Sequence, residues 1–159
     1  MISESTLLRL ETQLEVIPLL LNGAAPEAVL LHTRSGKWSA HENLAHLARH
    51  HAVFLERLDR ILTENAPALD RYRAEDDSAW LEWSCLSTEE VLGRLTALRG
   101  EINRFIKGLS EEETNRVGIH PLFGEMSLSL WIEFFLLHEA HHLYIVMTRL
   151  GEARISLAE

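Results

Sequence analysis

The sequence predicts an all-α protein, a four-helix bundle that forms one domain over residues 1–159. No stretch alternates apolar and polar residues for long enough to indicate a β-strand. Instead, four stretches of about 17 to 26 residues repeat apolar residues at helical spacing, which is typical of a bundle. A chain of 159 residues, 47% of them hydrophobic, also has the usual size of a single domain with one core.

The first predicted helix runs from Ser5 to Leu21, and its apolar face consists of Leu7, Leu10, Leu14, Ile17 and Leu21. Pro18 should kink this helix or break its last turn, because proline lacks the N–H that a helix interior needs. An irregular connection over residues 24–37 follows, since Pro26 interrupts helical spacing there.

The second predicted helix has the clearest start in the sequence. Ser39 and Glu42 have the S-x-x-E spacing of a capping box, in which each side chain bonds a main-chain N–H of the other residue. The apolar stripe ends near Glu64, just before Pro67. We expect a loop with one helical turn over residues 66–84.

A second capping box, Ser87 and Glu90, opens the third predicted helix, which extends to Gly108. Residues 109–125 then form another irregular connection.

The fourth predicted helix begins at Ser127 and runs to Leu150, with Gly151 expected just past its end as the C′ residue. It is apolar almost all the way round, which indicates that neighbouring helices or a second subunit cover most of its surface.

Composition excludes several classes of function. The formal net charge of −9 leaves no positive excess to neutralise phosphates, so nucleic acid is not an expected partner. One cysteine, Cys85, cannot form an internal disulfide. The longest apolar run, residues 128–137, is too short to cross a bilayer, and the first residues do not resemble a secretory signal. We therefore expect a cytoplasmic protein with no membrane partner.

Histidine is the one anomaly in the composition, because all nine histidines fall in two segments, residues 32–51 and 120–142. His138 and His142 lie four residues apart on the fourth helix, hence on the same face, and this makes them a plausible pair of metal ligands. His141 points elsewhere. The spacing H-x-x-x-H alone is a weak signal, since surface and core histidines also produce it.

The second helix offers further histidines, and periodicity does not choose among them. His51 lies nearest the centre of the apolar stripe and is best explained as a core imidazole, whereas His50 lies at one flank and His46 lies beyond it. His41, in the first turn, is expected to be solvated. Two helices of a bundle can direct histidines at one ion.

Two carboxylates of the fourth helix need an explanation. Glu139 is expected to point outward or toward a second subunit rather than act as a base. Glu133 lies within an apolar run, and because an unpaired buried carboxylate is costly, we expect it to pair across an interface with a partner that the sequence does not identify.

Three imidazoles would suit zinc, nickel or iron(II), and three protein ligands leave a position for water or substrate. A divalent metal ion in such a site can lower the pKa of a bound water or thiol, so that a nucleophile exists near neutral pH.

Three motifs together resemble the DinB-like superfamily. They are W-S-x-x-E-x-x-x-H-L beginning at Trp38, H-P-x-x-G beginning at His120, and H-x-x-x-H beginning at His138, and the resemblance covers essentially the whole chain in order and spacing.

This resemblance implies an up-down-down-up bundle with long connections, often a homodimer, that holds a divalent ion on His46, His138 and His142. His50 remains the alternative to His46. The sequence departs from the family pattern in two places near these ligands, where Arg49 and Glu139 stand at positions that the family usually fills with other residues.

The resemblance also implies a small-molecule substrate. The family includes enzymes that use a low-molecular-weight thiol as cofactor in transfer or isomerisation, and metal-dependent hydrolases. We expect an enzyme of this kind. The alternative is a non-catalytic, stress-associated bundle in which the ion or the packed histidines stabilise the fold.

Overall fold

A computed structural model describes residues 2–158 of the chain. Eight α-helices, two 3-10 turns at Gln13–Glu15 and Ala74–Asp76, and one β-hairpin make up the regular structure of that part. The helices are α1 (Glu4–Thr12), α2 (Val16–Leu21), α3 (Pro26–Leu30), α4 (Ala40–Thr63), α5 (Trp80–Ser84), α6 (Thr88–Lys107), α7 (Glu111–Thr114) and α8 (Leu128–Ser156), and the strands are β1 (Val117–His120) and β2 (Gly124–Ser127). The α1–α2 pair, α4, α6 and α8 form the predicted four-helix bundle.

Contacts between side chains give the direction of each bundle helix. Residues 46 and 54 of α4 contact residues 142 and 135 of α8, so these helices are antiparallel. Residues 41 and 51 of α4 bond residues 88 and 99 of α6, so these helices are parallel. Residues 6 and 13 of the first helix bond residues 133 and 139 of α8, which makes that pair parallel. The order is therefore up-down-down-up, as the resemblance implied.

Local capping signals place the two middle helices where the sequence predicts them. The Ser39 hydroxyl accepts from the Glu42 N–H at 3.1 Å, and the Glu42 carboxylate accepts from the Ser39 N–H at 2.7 Å. Ser87 and Glu90 form the same pair of bonds. Both helices also end as expected, α4 at the C-cap Glu64 and α6 at the C-cap Gly108.

The first bundle helix breaks earlier than its proline suggested. A 3-10 turn at Gln13–Glu15 separates α1 from α2, and Pro18 lies inside α2. The proline ring excludes the normal bond to the carbonyl four residues before it, that of Leu14. The break therefore falls in the turn preceding Pro18 rather than at the helix end.

The connection over residues 109–125 is more regular than predicted. It contains α7 and the start of an antiparallel hairpin, in which His120 pairs with Gly124. Each strand has only four residues, too few for alternation to be read from the sequence. The hairpin packs tightly on the bundle, because a Cβ on Gly118 would lie 2.9 Å from Ile61 and 3.0 Å from Trp131.

The core is divided along the bundle axis. One apolar cluster fills the end built around Phe54, Trp131 and Phe135, and a second fills the end built around Leu44 and Val146. Buried histidines, Arg99 and Glu139 lie at the level between these clusters. None of the described helices is both long and apolar enough to cross a membrane.

The prediction that Gly151 ends the last helix is wrong. α8 continues to Ser156 with the buried Ala153 on its inner face, and Gly151 does not have the positive φ of a C′ glycine. Glu152 helps to extend the helix, since its carboxylate accepts from Thr33 and from Arg149.

Because Gly151 lies inside α8, and a Cβ there would meet nothing within 4 Å, Gly151→Ala should stabilise the protein by about 0.5–1 kcal/mol. Urea unfolding of the two proteins measures this change. Gly23→Ala is the matched control and should destabilise, because Gly23 has a φ of 70° with equally open surroundings. Destabilisation by Gly151→Ala would mean that the helix ends at residue 150 after all.

Candidate metal centre

Three histidines meet between α4 and α8. One ring nitrogen from each of His46, His138 and His142 lies within 4.8 Å of the others. The Nε2 atoms of His46 and His138 are 3.1 Å apart, and the ring of His142 is 4.4 Å from that of His46 and 4.6 Å from that of His138, measured between centroids. The antiparallel packing of the two helices thus joins segments about ninety residues apart in sequence.

Asn43 fixes the orientation of His142. The Asn43 side-chain amide donates to the Ser39 carbonyl at 2.8 Å, so its Oδ1 is the atom that faces His142. His142 Nδ1 lies 2.9 Å from that oxygen and must be the donor. The proton of a neutral His142 is therefore on Nδ1, and Nε2 carries the free lone pair that a metal ligand needs.

Burial keeps the three imidazoles neutral. It lowers the pKa of His46 to about 4 and, with help from the neighbouring His46 and His141, the pKa of His142 to about 3. The pKa of His138 is also well below its ordinary value, first because of burial and then because of the neighbouring histidines. The Nδ1 atoms of His46 and His138 are buried without a hydrogen-bond partner in the described residues. Neutral imidazoles that converge in this way can offer the lone pairs of their ring nitrogens to a cation.

His50 and His51 lie beside this set but outside it. The ring of His50 is 4.0 Å from that of His138, yet its nitrogens are not among those that converge in the described residues. His51 is fully buried, as expected for a core imidazole: Nδ1 donates to the Leu47 carbonyl at 2.7 Å, and Nε2 accepts from Arg99 at 3.0 Å.

The expectation that His41 is solvated is wrong. The side chain is buried, and its ring nitrogens bond the Thr88 hydroxyl at 3.0 Å and the Ser84 carbonyl at 3.2 Å. The start of α6 and the end of α5 cover this first turn of α4, a contact that the sequence of α4 alone cannot indicate.

Both expectations about the carboxylates of α8 are also wrong. Glu139 is fully buried and accepts from Arg99 and from Gln13, the latter at 2.8 Å. Glu133 pairs within the chain, since its carboxylate accepts from the Thr6 hydroxyl and from Arg9 at 2.6 Å. Neither carboxylate reaches the histidine set as a base.

A cavity of about 690 Å³ opens onto the histidine set. Fifteen side chains line it, and besides the three histidines they are mainly aromatic or basic: Trp38, His50, Arg57, Arg71, Tyr72, Arg73, Ala74, Glu75, His120, Leu122, Phe123 and Phe134. Cavities of this size typically hold small molecules or cofactors.

Two aromatic side chains cover His46. The Trp38 ring lies 4.9 Å from the His46 ring, and the Tyr72 ring stacks on it at 5.5 Å. Asp77 holds Tyr72 in place: it accepts from the Tyr72 hydroxyl at 3.1 Å and from Arg49 Nε at 2.6 Å. Arg49, which departs from the family pattern, thus anchors the loop that carries Tyr72.

The sequence analysis did not identify several residues of this site, although the sequence pattern indicates a role for two of them. Asn43 precedes His46 by one helical turn, where it can support the site. Arg99 sits at a core position of the third helix, four residues after Leu95 and three before Ile102, so a buried partner could have been anticipated. Tyr72 and His120 lie on a loop and a hairpin, and no periodicity places them.

Comparison with known proteins identifies the family of this chain. A family model described as the DinB superfamily matches residues 9–146. The chain belongs to the DinB superfamily. Among curated relatives, the protein of Oceanobacillus iheyensis named "Putative metal-dependent hydrolase OB0782" is 30% identical over 112 residues, which are 69% of this chain and 63% of that protein. YuaE of Bacillus subtilis, named as uncharacterised, is 28% identical over 148 residues, 85% of this chain and 88% of that protein.

Solved structures show the same DinB-type fold. YfiT from Bacillus subtilis, described as a probable metal-dependent hydrolase with an unusual four-helix bundle topology, superposes with a TM-score of 0.79 at 21% identity, over 95% of this chain and 89% of that one. The four-helix bundle protein TT2238 superposes with a TM-score of 0.64 at 23% identity, over 90% of this chain and 95% of that one. The chain spans less than two thirds of the length of OB0782.

The buried histidines predict how the metal-free protein responds to acid. Below about pH 6.5 the unfolded chain binds protons at these positions, whereas folded His46 stays neutral to about pH 4 and His142 to about pH 3. The unfolded state then holds more protons, so the free energy of unfolding falls as the pH is lowered from 6.5 toward 4. The loss approaches about 1.4 kcal/mol per pH unit for each such histidine.

Urea unfolding of chelator-treated protein at pH 7.5, 6.5 and 5.5 measures this slope. His46→Asn/His142→Asn is the comparison and should show a shallower dependence on pH, since asparagine does not titrate. An equal slope in both proteins would contradict the burial of neutral imidazoles at these positions.

Proposed function

We propose that the protein is a metal-dependent enzyme, with a divalent ion held by His46, His138 and His142 at the wall of the cavity. The observation that carries this proposal is the convergence of three ring nitrogens within 4.8 Å at a cavity of about 690 Å³. The names of OB0782 and YfiT, both described as metal-dependent hydrolases, support the same class of chemistry.

The donor set fits zinc, nickel or iron(II), which accept imidazole nitrogen. Three protein ligands leave a further position for an outside molecule, and the cavity gives access to it. When bound there, such an ion supplies a Lewis acid that lowers the pKa of water or of a low-molecular-weight thiol toward neutrality.

Residues around the three histidines orient them and limit the access of water. Asn43 holds the tautomer of His142, and Trp38 and Tyr72 limit the access of bulk water to His46. Exclusion of water strengthens every electrostatic interaction in the site. A water or thiol that lost its proton there would attack an electrophilic small molecule in the cavity and displace a leaving group, which would take up that proton. Water would give hydrolysis, and a thiol would give transfer.

Metal content is the first test. Protein purified without an affinity tag should contain about one equivalent of divalent metal by mass spectrometry, and His138→Ala/His142→Ala should lose nearly all of it. His141→Ala is the matched control, because His141 is exposed on the same helix and lies outside the converging set in the described residues. Equal metal content in all three proteins would contradict the site.

Turnover separates the enzyme from a non-catalytic metal-binding bundle. Screens of ester and amide hydrolysis and of thiol transfer to electrophiles should find an activity that chelation or His46→Ala abolishes while circular dichroism shows a folded protein. A large loss of thermal stability on chelation, without any activity in these screens, would favour the structural role instead.

We also propose that the protein is a homodimer that pairs through α8. Leu130, Leu137 and Tyr144 lie seven residues apart along this helix, and each is at least half exposed. A heptad stripe of this kind is the surface that a second copy of the same helix could cover.

Leu137→Glu should convert the dimer to a monomer at micromolar concentration, because a charge at the centre of the stripe cannot be buried without a partner. Light scattering measures the change. Leu19→Glu is the control, since Leu19 is equally apolar and 75% exposed but lies on α2. A wild-type protein that is already monomeric would contradict the proposal.

A further inference from the structure

The cavity beside the histidine set is basic, although the protein as a whole is acidic. Lysine and arginine number 15 in the chain against 24 acidic residues. Yet three arginines, Arg57, Arg71 and Arg73, line this one cavity, and Glu75 is the single carboxylate among its lining residues. Positive charge is therefore concentrated at the site against the trend of the sequence.

Two of these arginines lack partners. Within residues 2–158, neither Arg71 nor Arg73 has a side-chain hydrogen bond or an ion pair, and both are exposed. Several arginines elsewhere in this acidic chain are paired, for example Arg9 with Glu133 and Arg49 with Asp77. Both unpaired guanidinium groups lie at the cavity, on the loop that also supplies Tyr72.

Arg57, the third arginine that lines the cavity, lies on α4. It is 8% exposed, one of its terminal nitrogens donates to the Asp70 carbonyl at 2.6 Å, and its guanidinium lies 5.6 Å from the centre of the Trp131 ring. These contacts fix its position and leave its other N–H groups without an acceptor in the described residues. A guanidinium held in this way is preorganised for a carboxylate or a phosphate.

His120 adds a fourth donor of fixed orientation. Its Nδ1 accepts from the main-chain N–H groups of Leu122 at 3.1 Å and of Phe123 at 3.2 Å, so the proton of the neutral ring is on Nε2. That N–H has no acceptor in the part of the chain that the structure describes. The ring is held between Phe123 and Phe134, whose centroids are 4.6 and 5.3 Å away.

We propose that Arg57, Arg71, Arg73 and His120 form a receptor for an anionic group, so that the molecule bound in this cavity carries a carboxylate or a phosphate. The inference rests on the proposed function, since the anionic molecule would be its substrate or thiol cofactor. Leu122 and Phe123, which are 75% and 57% exposed at the cavity rim, accommodate an apolar part of the same molecule.

Electrostatics near His120 agree with this arrangement. Its pKa is lowered first by burial and then by the positive charges of Arg57 and Arg71, which therefore lie close enough to act on one site together. A bound anion would relieve the repulsion between these groups. Glu75 opposes the receptor with one negative charge and leaves the lining two charges positive.

Calorimetric titration with inorganic phosphate and with succinate, at constant ionic strength, tests the proposal and distinguishes the two kinds of anion. Each titration is carried out on chelator-treated and on zinc-loaded protein. We expect at least one anion to bind the chelator-treated protein, and Arg71→Gln/Arg73→Gln to weaken that binding about tenfold or more through the loss of charge-assisted hydrogen bonds.

Arg104→Gln/Arg154→Gln is the matched control, because it removes the same two charges from exposed positions on α6 and α8, away from the cavity. It should bind as the wild type does. Equal weakening in both variants would show a general effect of net charge and overturn the receptor. Failure of both anions to bind, or unchanged binding by Arg71→Gln/Arg73→Gln, would also overturn it.

Because the decisive titrations use metal-free protein, their outcome is independent of the metal analysis. Loss of anion binding with normal metal content would remove the receptor and leave the metal centre. Normal anion binding by a protein that retains no metal in the metal analysis would remove the metal centre and leave the receptor.

Discussion

The bundle depends on a buried ion pair that crosses its centre. Arg99 of α6 donates to the Glu139 carboxylate of α8 and to His51 of α4, and Gln13 closes the network from the first helix. Burial alone would raise the pKa of Glu139, but the Arg99 guanidinium beside it lowers that pKa, so the carboxylate stays ionised. Removing one partner of such a pair typically costs about 3–5 kcal/mol, because the other charge is left buried and uncompensated. All four bundle helices are thereby held in one register at the level of the histidines.

This network explains where the candidate metal centre lies. Apolar clusters fill both ends of the bundle, and the buried groups Arg99, Glu139 and His51 lie in the layer between them. On one side of α8 that layer is satisfied internally, through Glu139. On the other side one ring nitrogen from each of His138 and His142 converges with one from His46. Adjacent positions on α8 therefore have different roles. Glu139 stabilises the fold, whereas His138 remains available for a ligand.

Local signals in the sequence were sufficient to predict the four helices of the bundle. The capping boxes at Ser39 and Ser87 involve residues only three apart, so the local sequence alone predicts where α4 and α6 begin. The burial of His41 and Glu139 depends on partners from other helices, and single-helix periodicity therefore assigned both to the wrong environment. For the same reason periodicity could not choose His46 over its neighbours, and the resemblance to the DinB superfamily was needed.

The histidines and the walls of the cavity belong to different kinds of structure. The three converging imidazoles project from long helices locked by the core, whereas Tyr72 and His120 project from segments joined chiefly by two main-chain bonds: Leu69 donates to Ile119 at 2.9 Å, and Ile119 donates to Pro67 at 2.8 Å. Loops tolerate substitution and insertion far better than packed helices. Evolution can accordingly exchange the chemical preference of such a pocket while its reactive centre stays intact, which is how one scaffold can diversify across many relatives.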